Sequence, residues 1–98
     1  MNLLDDLKNS NGKLLIIGEE NCPGCEMVKT IFKEEIEKGV IEYREVDKDK
    51  EARELAKKLG IKYVPFPIYG EKGELYKCDI RQDGDEIVVE CKEKIEVQ

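Results

Sequence analysis

Two cysteines three positions apart, Cys22 and Cys25 in "LLIIGEENCPGCEMVKTIF", constrain this chain more than any other feature. An apolar run of strand length precedes them and a helical pattern follows. The pair therefore falls where a buried strand gives way to the first turn of a helix. Pairs at this spacing either cycle between dithiol and disulfide or hold half of a metal site. The rest of the sequence has to decide between the two.

Length and composition narrow the choice. The 98 residues make one domain, residues 1–98, with room for a single core. With 41% charged residues and few Asn, Gln and Met, the usage resembles that of hyperthermophile proteins. A net charge of −6 argues against nucleic-acid binding, which depends on neutralising phosphates, and disfavours anionic membranes. "MNLLDDLKNSNGK" reads as no targeting signal, and "LLII" is far too short to span a bilayer, so the expectation is a soluble, cytoplasmic protein. Four cysteines in such a chain point to catalysis, metal or redox sensing before a secreted disulfide scaffold. Histidine is absent, which removes Cys–His nucleophile schemes.

Along the chain, Leu3, Leu4 and Leu7 mark a short leading helix that "NSNG" ends, and "KLLIIG" reads as a strand buried on both faces. Val28, Ile31, Phe32 and Ile36 recur at helical spacing up to Gly39, and "VIEYREV" reads as a second strand. Asp47 or Asp49 caps a helix with Ala52, Leu55, Ala56 and Leu59 on its apolar face, closed by Gly60. "PFPIYG", the turn "EKGE" and "LYKCDI" form a hairpin, with Pro67 placed on an edge. The tail admits two readings. Ile87, Val88, Cys91 and Ile95 suit a helical face capped by Asp85, whereas Ile87, Val89, Cys91, Ile95 and Val97 alternate as a strand would. Helix is preferred by a narrow margin.

A redox dithiol needs one sulfur that ionises readily and a second placed to resolve the mixed disulfide. Cys22 at a helix start meets unpaired backbone N–H groups and the positive end of the helix dipole, which stabilise a thiolate. Such placement lowers a thiol pKa from about 8.5 to roughly 3.5–7.5. Pro23 falls at the first helical position, where no N–H is needed, and Cys25 lies nearly one turn on. Glu19 and Glu20 oppose ionisation and Lys29 favours it, although all three also read as a solvated rim.

The order strand, "CPGC" at a helix start, strand, helix with "KKLGIKYVP", hairpin and tail resembles the thioredoxin superfamily from about Lys13 onward. The resemblance implies a thioredoxin-like α/β fold, a central mixed four-stranded sheet flanked by helices, with the C-terminal segment as a helix or an extra strand. It implies a cis peptide at Val64–Pro65 facing the dithiol, and backbone at Val64 that bonds an extended substrate segment. Cys22 and Cys25 are then catalytic, and Pro23, Gly24, Val64 and Pro65 bind substrate. Thioredoxins usually carry Gly-Pro between the cysteines. Pro-Gly is closer to glutaredoxins, yet the lysine that glutaredoxins place shortly before the pair is replaced by Glu19, Glu20 and Asn21. The buried acid that thioredoxins carry before the motif is also missing, so Glu19, Glu20 or water has to take its proton-relay role.

Cys78 and Cys91 admit three readings. They are buried small hydrophobes, or a disulfide across a turn at Gly84 and Asp85, or two of four thiolates of a zinc site completed by Cys22 and Cys25. The function expected from the whole is a monomeric protein-disulfide oxidoreductase that reduces disulfides in other proteins. It uses no cofactor and no metal, and takes electrons from a separate reductase or thiol. A structural zinc protein and a redox-inactive adaptor of the same fold are the alternatives.

Overall fold

A computed structural model describes residues 2–97. The order is α1 (Leu3–Lys8), β1 (Asn11–Gly18), α2 (Pro23–Ile31), α3 (Lys33–Glu37), β2 (Ile41–Glu45), α4 (Lys50–Leu59), β3 (Phe66–Glu71), β4 (Glu74–Asp83) and β5 (Glu86–Ile95). The strands form one mixed sheet in the order β2-β1-β3-β4-β5, with β1 and β2 parallel and every other pair antiparallel.

The alternation of β1 sorts the helices onto two faces. Leu15 and Ile17 join α1 and α4 in one apolar cluster, with Leu3, Leu4, Leu7, Ala52 and Leu55. Ile16 points the other way, toward Val28 of α2 and Phe32. Leu15, Ile16 and Ile17 are all fully buried, as "LLII" implies for a strand covered on both sides. At about 25 cal/mol per Å² of apolar surface, each such side chain contributes roughly 1.5–3 kcal/mol.

Local chemistry sets the boundaries. The Asn2 side chain accepts the Asp5 N–H at 2.9 Å and caps α1. The Asp49 carboxylate accepts the Ala52 N–H at 3.1 Å and caps α4, and Gly60 closes that helix at φ 66°. Lys72 and Gly73 both adopt positive φ, 51° and 81°, in the two-residue turn that joins β3 to β4.

Three expectations are corrected. The four-stranded thioredoxin-like sheet does not form, because the domain is α+β with a five-stranded mixed sheet. The tail supplies the fifth strand and not a helix: β5 pairs antiparallel with β4 from Asp83 opposite Glu86 to Leu75 opposite Ile95. A register shift between Lys77 and Asp79 explains why its pattern resembled a helix. Val89, opposite Ile80, packs on the α2 side, whereas Ile95, opposite Leu75, packs on the α1 side. One unpaired residue moves odd-numbered positions from one face to the other, so no single alternation runs through the strand. Third, Pro67 lies in the central strand β3, opposite Ile16 of β1, and not on an edge. The β3–β4 ladder begins only one residue later, at Ile68 opposite Lys77.

The helical spacing from Val28 to Ile36 is divided between α2 and α3, with Phe32 between them at φ −103° and ψ 24°. Among the described residues, no helix is long and apolar enough to cross a membrane.

Candidate active site

Beyond β1 the chain turns through Asn21, whose φ of 61° suits asparagine better than most residues. Cys22 follows as the N-cap of α2, with extended backbone at φ −113° and ψ 107°. Its sulfur accepts the Cys25 N–H at 3.1 Å and its carbonyl accepts the Glu26 N–H at 3.0 Å. Pro23 occupies the first helical position without loss of a hydrogen bond. Cys22 and Cys25 stand at disulfide distance, with Cα atoms 5.2 Å apart. Cys22 keeps 9% of its surface exposed and Cys25 none, so Cys22 is the more accessible of the two. The same amide that touches Cys22 in the oxidised pair would stabilise its thiolate after reduction.

The Val64–Pro65 peptide is cis, as the resemblance implies. Pro65 lies against the motif: a Cβ built on Gly24 would fall 3.1 Å from Pro65 Cδ. Val64, Tyr63 and Ile61 line a groove of about 470 Å³ together with Glu19, Cys22 and Pro23. All six expected site residues are therefore gathered at one end of the sheet. Cys22, Pro23 and Val64 line the groove, with Gly24 and Pro65 packed against one another and Cys25 enclosed.

Charges near the pair are already engaged. Lys29 pairs with Glu26 at 2.8 Å and Glu45 at 3.7 Å, and its ammonium lies 5.4 Å from the Tyr43 ring centre. The Glu26 side-chain hydrogen bond raises the Lys29 pKa. Burial would raise the Glu45 carboxyl, but hydrogen bonds from Lys48 and Tyr43 win and leave it below its ordinary range. Burial, then the Glu45 charge, pushes the Tyr43 phenol well above its usual value. The Tyr43 hydroxyl fills the space beside Gly18, where a Cβ would clash with it. Glu19 and Glu20 remain exposed on the rim, and the Glu20 N–H donates to Asp47 at 3.2 Å. Among the described residues no polar or charged side chain is buried, so no carboxylate lies enclosed beneath Cys25.

Cys78 and Cys91 also stand at disulfide distance, Cα atoms 4.0 Å apart, at the register shift between β4 and β5. Cys78 is buried and Cys91 half-buried. The four cysteines thus divide into two separate pairs. Among the described residues no group of three or more His, Cys, Asp or Glu side chains is placed to hold a metal.

Sequence reading missed that Cys78, Asp79 and Ile80 lie beside Pro65 and Val28, where they line a second, smaller groove. The signal was present. Counting outward from the turn of Lys72 and Gly73 sets Cys78 beside Pro67. No protein-family model matches this chain, and no curated protein matches it.

Proposed function

We propose that this chain is a protein-disulfide oxidoreductase that reduces disulfides in other proteins. The observation that carries the reading is the Cys22 sulfur at the start of α2, held by the Cys25 N–H and open to a groove bordered by Val64. The motif order and the cis peptide before Pro65 add the resemblance to the thioredoxin superfamily. The reaction runs in two exchanges. The Cys22 thiolate attacks one sulfur of the substrate disulfide, forms a mixed disulfide and expels the other sulfur as a thiolate, which takes a proton from solvent. Cys25 loses its proton and attacks Cys22 Sγ, releasing the second substrate thiol and leaving the Cys22–Cys25 disulfide. Two electrons pass from the protein dithiol to the substrate, and a separate reductase or small thiol restores the dithiol. With no buried acid beneath it, Cys25 gives its proton to water or to the departing substrate thiolate. We place this activity in the cytoplasm and assign it to the monomer.

Insulin reduction with dithiothreitol as donor tests the reading. The wild-type protein accelerates it, Cys22→Ser abolishes the acceleration, and Cys25→Ser accumulates a mixed disulfide with substrate. Binding of a partner that persists with both cysteines replaced, without any reduction of insulin, would instead identify an adaptor.

A further inference from the structure

The β4–β5 hairpin extends past the rest of the sheet at the end that carries Cys22. β1 runs toward that end, β3 starts there with Ile17 opposite Phe66, and β4 returns to it. The β3–β4 ladder stops at Lys77, yet β4 continues to Asp83 and pairs from there on only with β5. Residues 78–91 therefore form a two-stranded arm, and Cys78 and Cys91 face each other at its base. Ile80 and Val89 of the arm pack against the cluster of Ile16, Val28, Phe32 and Ile41, on the α2 side of the sheet.

Between the arm and the proline segment lies an open groove of about 200 Å³, lined by Val28, Pro65, Pro67, Cys78, Asp79 and Ile80. Tyr63 borders this groove and also the one beside Cys22, so the two grooves adjoin the same residue. Tyr63 is 54% exposed, and its ring is braced by Phe66, with centroids 5.4 Å apart, and by the Lys77 ammonium at 5.2 Å.

The geometry points to the arm as the second wall of the substrate site, occupied by an extended segment of the protein whose disulfide is being reduced. The Cys78–Cys91 bridge is the positioning element that holds that wall beside Pro65. This inference rests on the reductase reading and adds to it a selectivity for protein disulfides over small ones. A small disulfide reaches Cys22 without touching the arm, whereas a polypeptide crossing Tyr63 has to pass between Pro65 and Asp79. The bridge takes no part in the exchange at Cys22. Reduction of it by an external dithiol would release Cys78 and Cys91 as thiols, convert that dithiol to its disulfide and free the base of the arm.

The test uses Cys25→Ser protein, in which Cys22 is the one free thiol while the Cys78–Cys91 bridge is intact. Mixed-disulfide formation is followed by mass spectrometry with insulin and, separately, with oxidised 2-mercaptoethanol. The same rates are measured after adding Asp79→Trp, which fills the groove from an exposed position, and after adding C78A and C91A together. Circular dichroism checks that each variant keeps the parent's fold. Both variants are expected to slow insulin about tenfold, equivalent to roughly 1.4 kcal/mol, and to leave the small disulfide within about twofold. An unchanged insulin rate with Asp79→Trp, or equal slowing of both substrates, overturns the arm as a substrate wall. An unchanged insulin rate in the double variant overturns the role of the bridge. A parent protein that reacts with neither disulfide overturns the reductase reading itself.

Discussion

Gly24 and Pro65 pack so closely that a single added carbon on Gly24 would stand 3.1 Å from the proline ring. The first turn of α2 and the segment that borders the groove are thus fitted to one another through a residue without a side chain. In the proposed reaction their spacing sets how far Cys22 lies from a substrate segment held along Val64.

Replacing Gly24 should disturb that fit in proportion to size. Gly24→Ala forces Pro65 back by a few tenths of an ångström and should slow insulin reduction by about threefold. Gly24→Val should slow it by ten- to a hundredfold, because displacements approaching 1 Å carry losses of that order. Steady-state rates with insulin, with the folded state checked by circular dichroism, measure both.

Lys29 should matter little to the chemistry. It lies on the same helix as Cys22, but its charge is taken up by Glu26 and Glu45. Lys29→Met should leave the alkylation rate of Cys22 at neutral pH within about twofold of wild type, since exposed ion pairs act weakly at a distance. A loss of tenfold would mean that the lysine, and not the helix start, ionises the thiol.

Acid stability should follow the carboxylates of β2. Burial would raise the Glu42 carboxyl, but hydrogen bonds from Lys13 and Arg44 overcome this and hold it below its ordinary range. Arg44 also bonds Asp49 at 3.0 Å and Glu51 at 3.2 Å, tying β2 to the start of α4. A carboxyl whose folded pKa is lowered contributes its stability above the unfolded value, about 4.3 for glutamate, and loses it as pH falls through the lowered one. The thermal midpoint should therefore hold steady from neutral pH down to about 5 and then fall below roughly 4.3. Glu42→Gln should flatten that fall, which thermal unfolding across the acid range will record.

Much of this architecture was legible because single residues dictate local backbone. Pro23 fits the start of α2, Gly60 the end of α4, and Gly73 the tight turn, and each lies where its own conformational preference puts it. The place of Cys22 was readable for the same reason, since a buried strand followed by "CPGC" and a helical pattern puts the first sulfur at a helix N-cap. The fifth strand was readable only as one of two alternatives, because the alternation of Ile87, Val89, Cys91, Ile95 and Val97 stood beside a helical pattern in the same residues. Its register shift reverses the parity of Val89 and Ile95, and that shift depends on pairing with β4, which no pattern within the tail encodes. The position of Pro67 was misjudged because the rule confining proline to edges concerns a missing N–H, and here the β4 ladder starts just beyond it. The neighbourhood of Pro65 and Asp79 needed the strands aligned before it could be seen.

The account rests on Cys22 being ionised at neutral pH by the amides at the start of α2. The direct measurement is the rate of iodoacetamide alkylation of Cys22 in the reduced protein as a function of pH, read by peptide mass spectrometry. The account predicts a midpoint within roughly 3.5–7.5, and therefore a larger thiolate fraction at neutral pH than in an unperturbed cysteine. A midpoint near 8.5, as in an unperturbed cysteine, would contradict it.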